Sequence, residues 1–163
     1  MFLFNKQRNA IIDNPWSTVT RNGILGFNLG DSYNFALSRI KHLRLFSKED
    51  KEYFASKQNM NKMFGTNACS NSIQFGTDLL VGIKNVSIHF DERDRLNTIL
   101  VSKKKTSEGL DIQFRELYNK LCPVLGECEN YSPTLGFNWS YPNSQIVAFC
   151  EGDALVLSIE SLR

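Results

Sequence analysis

Two stretches of this chain repeat their apolar residues at helical spacing, and several others alternate them at every second position. Tyr33, Ala36, Leu37, Ile40 and Leu43 follow the i, i+3, i+4, i+7 rule, as do Phe114, Leu117, Tyr118, Leu121 and then Val124 or Leu125. Leu25, Phe27 and Leu29 instead keep period two, and so do Val86, Ile88 and Phe90, and Leu135, Phe137 and Trp139. A helix buries one stripe and a strand one face, so each must pack on the other. The pattern predicts an α+β fold: a mainly antiparallel sheet with two main helices on one face.

The local reading runs as follows. Asp31 stands where a helix N-cap belongs, and a helix over 32–46 ends in the basic residues Lys41 and Arg44. The charged run Ser47–Glu52 predicts a short helix reaching Ala55 or Ser56, and 58–71, rich in Asn, Ser, Gly and Met, reads as a loop. Short strands are expected at 73–75 and 79–83. A hairpin pairs 86–90 with 96–101 around the charged tip Asp91–Arg95. The second helix should kink or stop near Leu121, because Pro123 follows and Gly126 lies beyond. Strands at 135–139, 146–149 and 154–159 complete the chain, and the last is apolar enough to be central.

Residues 1–22 read as an N-terminal arm tethered by Trp16, and 23–163 as a single domain. An offset of 81 sets Tyr33 on Phe114, Ala36 on Leu117, Leu37 on Tyr118 and Ile40 on Leu121. The domain then reads as two helix-plus-meander halves, 23–102 and 103–163.

Gly30-Asp31 leads into Tyr33–Leu43, and Phe114–Leu121 leads through Leu125-Gly126-Glu127 into Phe137–Trp139. Over about residues 24–160 this order resembles the tandem α-β-β-β domains of the beta-lactamase-inhibitor-protein-like type. More loosely it resembles the small outer-membrane assembly lipoproteins that carry one such unit. The resemblance implies a sheet surface that binds another protein, without a catalytic centre. The chain departs from the pattern in two ways: it shows no lipoprotein leader, and its first helix-to-strand connection is much longer.

Composition narrows the functional classes. With 163 residues the chain should remove roughly 70% of its unfolded surface from water. Nineteen basic residues against seventeen acidic ones give a net charge of +2, too little to point to nucleic acid or an anionic membrane. The apolar runs are far short of a membrane helix. The start, Met1-Phe2-Leu3-Phe4-Asn5-Lys6, has its charges after a four-residue apolar stretch, the reverse of a secretory signal, so a cytoplasmic location is expected. Four cysteines, Cys69, Cys122, Cys128 and Cys150, are too sparse for a disulfide scaffold. The six-residue step from Cys122 to Cys128, even with His42 and His89, does not match zinc-knuckle spacing, so neither metal nor cofactor is expected.

Phosphate-loop, HExxH, EF-hand and nucleophile-elbow motifs are all missing from the sequence. The leading expectation is therefore a non-catalytic protein-interaction module, of inhibitor or immunity type, or one that pairs with its own copy. Its binding surface would be a sheet face or the hairpin tips. Phe137, Trp139 and Tyr141 share one strand phase: facing inward they are core, facing outward they are an interface hot spot. Arg93 and Arg95 at the hairpin tip complete the candidate binding set. One alternative is a small-molecule-binding domain or hydrolase using Cys69 and His89, with Asp91 or Glu92 orienting the imidazole. Another is a weak single-strand nucleic-acid binder using Trp139, Tyr141 and Lys103–Lys105.

Overall fold

Every second residue of the long strands turns to the same side, and that side carries most of the β-branched and aromatic bulk. The strands accordingly lie in one sheet with helices on the apolar side. In the computed structural model, which describes residues 11–64, 72–132 and 135–162, the chain is α+β. A 3-10 turn (Pro15–Thr18) precedes a small hairpin of β1 (Gly23–Ile24) and β2 (Phe27–Asn28). Helices α1 (Tyr33–Leu43) and α2 (Lys48–Phe64) follow, then β3 (Ser72–Phe75), β4 (Ile83–Phe90) and β5 (Leu96–Lys103). Helix α3 (Leu110–Leu125) leads into β6 (Asn130–Ser132), β7 (Gly136–Ser140), β8 (Ser144–Glu151) and β9 (Ala154–Ser161). The large sheet has the order β3-β4-β5-β9-β8-β7-β6, antiparallel throughout. Strand β9 is the fourth of seven, the central place that its apolar run predicts.

Helix α1 starts one residue later than the sequence reading has it. Ser32, not Asp31, is the N-cap, and its hydroxyl accepts the Phe35 amide at 3.2 Å. Asp31 closes the preceding turn instead, accepting the Asn28 amide at 2.8 Å. The helix stops at Leu43 because Arg44 adopts the left-handed conformation, φ 54°. The Arg44 and Leu45 amides then bond the Lys41 and Ile40 carbonyls at 3.2 and 3.0 Å, a Schellman ending sealed by fully buried Leu45.

Helix α2 is the main departure from expectation. The residues read as a loop from 58 onward continue the helix to Phe64. Ser47 and Asp50 cap each other: the Asp50 amide donates to Ser47 Oγ at 3.1 Å and the Ser47 amide to Asp50 Oδ2 at 2.9 Å. No Gly or Pro occurs from Lys48 to Phe64, so once the first turn is nucleated each further residue adds a hydrogen bond cheaply. Asp50 Oδ2 also accepts the Gly76 amide at 2.9 Å, and Lys57 Nζ donates to Ser72 Oγ at 3.1 Å. These ties lay α2 along the edge strand β3. The two-helix expectation thus becomes three helices, of which α1 and α3 pack on the sheet.

Helix α3 runs through Pro123 to Leu125. The proline removes one intrahelical bond in the last turn, at a cost of about 3 kcal/mol. Leu121 and Leu125 are buried on either side of it, which offsets that cost. The Trp139 indole N–H donates to the Gly126 carbonyl at 2.9 Å, and the Tyr141 hydroxyl to the Leu125 carbonyl at 3.1 Å, so the helix end is held from the sheet. The strand expected over 79–83 is a turn, with Leu80 bridging Ile12, and Ile83 opens β4 directly. Edge strand β6 had no apolar pattern to announce it.

The core lies between the sheet and the layer formed by α1, α3, the small hairpin and the 3-10 turn. Ala36 and Ile40 of α1, and Phe114, Leu117 and Leu121 of α3, meet Ile73, Phe75, Val86, Ile88, Ile99, Val101, Ile146, Leu157 and Ile159. Trp16, expected as a tether, is 2% exposed within this core.

Candidate functional site

Strand pairing places the remaining side chains, those pointing away from α1 and α3, in rows across the sheet. One row reads Ser72, His89, Thr98, Glu160, Gln145, Ser140 from β3 to β7. The next reads Gln74, Ser87, Leu100, Ser158, Val147, Asn138. A third contains Asn85, Ser102, Val156 and Phe149. Leu100 and Val147 flank Ser158 in its row, Val156 and Phe149 lie in the next, and Glu160 stands on the other side. Four apolar side chains therefore form a patch beside Ser158 that Ser87, Thr98, Ser102, Gln145 and Asn138 border. Val156 is buried yet stands outside the main core cluster, as a residue of the opposite face should.

The polar groups satisfy one another. Glu160 accepts from Gln145 Nε2 at 2.9 Å and from the Ser158 hydroxyl at 2.5 Å. The Ser87 hydroxyl lies 3.0 Å from His89 Nε2. Asn130 Nδ2 donates to Asn138 Oδ1 at 3.3 Å, and Asn138 Nδ2 reaches Glu129 at 3.4 Å. Partial burial, and then the nearby Lys57 ammonium, hold the His89 imidazole below its usual pKa. These side chains form an ordered, mostly uncharged surface of donors and acceptors with an apolar centre.

The residues singled out in the sequence fall elsewhere. Phe137 and Trp139 are each 2% exposed on the helix side of β7. They take the inward alternative, so the exposed aromatic stripe they would have formed with Tyr141 does not exist. Their rings pack with α3: Phe114–Phe137 at 5.9 Å, Tyr118–Phe137 at 5.7 Å and Phe137–Trp139 at 5.2 Å, all edge-on. The bulk that would serve an interface instead fastens α3 to the sheet. Tyr141 is half-buried at the β7–β8 turn beneath the Arg21 guanidinium, 4.9 Å from its ring centroid, and burial raises its pKa.

Arg93 and Arg95 sit on the β4–β5 tip, where both amides donate to Asp91 Oδ1 at 2.8 and 3.0 Å. Arg95 lines a cavity of about 310 Å³ with Asn97, Asn143 and Ser161, at the end of the sheet where Tyr141 also lies. The five candidates do not converge.

The two alternatives fare differently. Cys69 lies outside the described residues, and His89 has Ser87 as its hydrogen-bonding neighbour. The three lysines of the nucleic-acid reading are directed apart. Lys103 donates to buried Gln113 at 3.3 Å, Lys104 pairs with Asp78 and Lys105 with Asp153. With Trp139 in the core as well, no stacking platform is assembled.

Cys122, Cys128 and Cys150 are free and half-buried, and burial pushes the Cys128 and Cys150 thiols up. Among the described residues no group of three His, Cys, Asp or Glu could hold a metal, and no helix is long and apolar enough to cross a membrane.

Sequence reasoning missed the face itself: Thr98, Glu160, Gln145, Val147 and Phe149 were not singled out. The signal was the complement of the buried period-two set, which only the strand order turns into a surface. Comparison with known proteins found no matching family model, no matching curated protein and no matching solved structure.

Proposed function

We propose that this chain is a non-catalytic binding module that holds a partner protein, or a second copy of itself, across the sheet face turned away from α1 and α3. The observation that carries this reading is the patch beside Ser158: four apolar side chains bordered by hydrogen-bonding groups. Protein interfaces share that anatomy, an apolar centre with a polar rim. The rim is prealigned by its own hydrogen bonds, which lowers the entropy lost on association. The tandem helix-plus-meander reading agrees with it. The last strand of each half, β5 and β9, pair at the centre, so the two halves would present one continuous face.

The test substitutes Leu100→Arg, which projects a charge from the middle of the face. Wild-type chain should co-purify with a partner or self-associate on size exclusion, and L100R should lose that association while keeping the wild-type circular dichroism. A wild-type chain with neither partner nor self-association, or an L100R variant that keeps it, would overturn the proposal.

A further inference from the structure

A second surface, remote in character from the polar face, lies where α1 meets α2. Two adjoining cavities of about 410 and 510 Å³ share Arg44 and Phe46 in their walls. Five cationic side chains line them, Lys41, Arg44, Lys51, Lys84 and Lys104, against the acids Glu49 and Asp78. That local excess of three positive charges is larger than the excess of two carried by the whole chain. Asp50 stands outside both linings, its Oδ2 accepting the Ser47 and Gly76 amides.

The chain organises this concentration of charge through backbone devices. The left-handed Arg44 ends α1 and turns the chain, so that Lys41 at the end of one helix and Lys51 in the first turn of the next line one cavity. The register of β4 and the turn before it then bring Lys84 into the lining of the adjoining cavity, together with Lys104. Phe46 packs on Phe54 with ring centroids 5.4 Å apart, and it gives the groove an apolar wall between the two cationic halves. Cations spread over two joined cavities suit several negative charges on one ligand better than a single carboxylate.

We propose that this groove binds a multiply phosphorylated small molecule whose ring lies against Phe46, with a nucleoside triphosphate as the representative ligand. The phosphate chain lies among Lys41, Lys51 and Lys84, with Lys104 held by Asp78 at the rim, and the ring supplies the apolar contact. The site is independent of the sheet face, so failure of one proposal leaves the other standing.

Calorimetric titration of the full chain with ATP and, separately, with inorganic tripolyphosphate tests it. ATP should bind more tightly than tripolyphosphate, and both affinities should fall as salt is raised. The double variant Lys51→Glu/Lys84→Glu should weaken ATP by about ten-fold or more through lost attraction and new repulsion. Lys120→Glu, a single reversal of the same kind on α3 outside both cavities, should weaken it by less than about two-fold. All three positions are exposed, and circular dichroism checks that the variants fold. No binding of either anion at about 1 mM, equal affinity for the two, or an equal loss in K120E overturns the proposal.

Discussion

The two faces of the sheet are built from the same strands and could hardly differ more. Along β8, Ile146 and Ala148 are buried under the helices, while Gln145 and Val147, which alternate with them, are half-exposed on the other side. Along β9, Leu157 and Ile159 belong to the main core, whereas Val156, Ser158 and Glu160 lie on the opposite side. One face has closed over its apolar side chains with a layer of helices, and the other keeps an aligned array of hydroxyls, amides and one carboxylate. The difference teaches that a period-two sequence assigns two roles at once. The apolar phase holds the fold together, and the polar phase faces away from the helices that cover the core.

Substitutions on the helix face should have the largest effect. Trp139→Ala removes a buried indole with its Gly126 hydrogen bond and its stacking on Tyr118, and should cost about 3–5 kcal/mol in a urea titration. A loss under about 1 kcal/mol would place the real core elsewhere. Gly136→Ala comes next. Gly136 has φ +116°, and a Cβ there would lie 1.9 Å from the Ala148 carbonyl oxygen, so β7 would have to part from β8. About 2 kcal/mol or more is expected in the same titration, with the loss in the β7–β8 pair visible as faster amide exchange.

On the opposite face the expected effects are small. Ser87→Ala exchanges a half-exposed hydroxyl near His89 and should shift stability by less than about 0.5 kcal/mol. His89 gives the smallest signal. Its folded-state pKa is depressed, so the unfolded chain binds its proton first as pH falls. Its contribution to stability is full above the unfolded value near 6.5 and is lost as pH drops below that. Partial exposure keeps the effect shallow. Denaturation midpoints of wild type and His89→Gln between about pH 7.5 and about pH 5.5, roughly one unit either side of histidine's ordinary value, should therefore show a slightly steeper acid decline in wild type. Parallel curves would count against that environment for His89.

Much of the fold was legible because its periodicities were strong. The apolar set of α1, the 86–90/96–101 hairpin and the central place of the last strand are all written in residue spacing. Other parts turned on terms that spacing does not carry. The second half of α2 has a sequence that looks like a loop. It is helical because the Ser47–Asp50 cap and the Asp50 and Lys57 ties to β3 act from outside the segment. Helix α3 survives Pro123 because Leu121 and Leu125 are buried on both sides, a tertiary effect.

The candidate site was less legible still. Trp139 and Phe137 carry the residue types of an interface, and which way β7 faces decided between core and surface. The face proposed for binding consists of Ser, Thr, Asn, Gln and a few apolar residues from six strands, and no local motif unites them. Strand order alone does.

The most direct test of the division between faces compares neighbours on one strand. Ile146→Ser and Val147→Ser change adjacent residues of β8 that point to opposite sides, and their unfolding free energies in urea can be measured side by side. Ile146→Ser should cost at least about 2 kcal/mol more than Val147→Ser, because only the first removes apolar bulk from under the helices. Equal costs would contradict the account, since both faces would then be holding the fold.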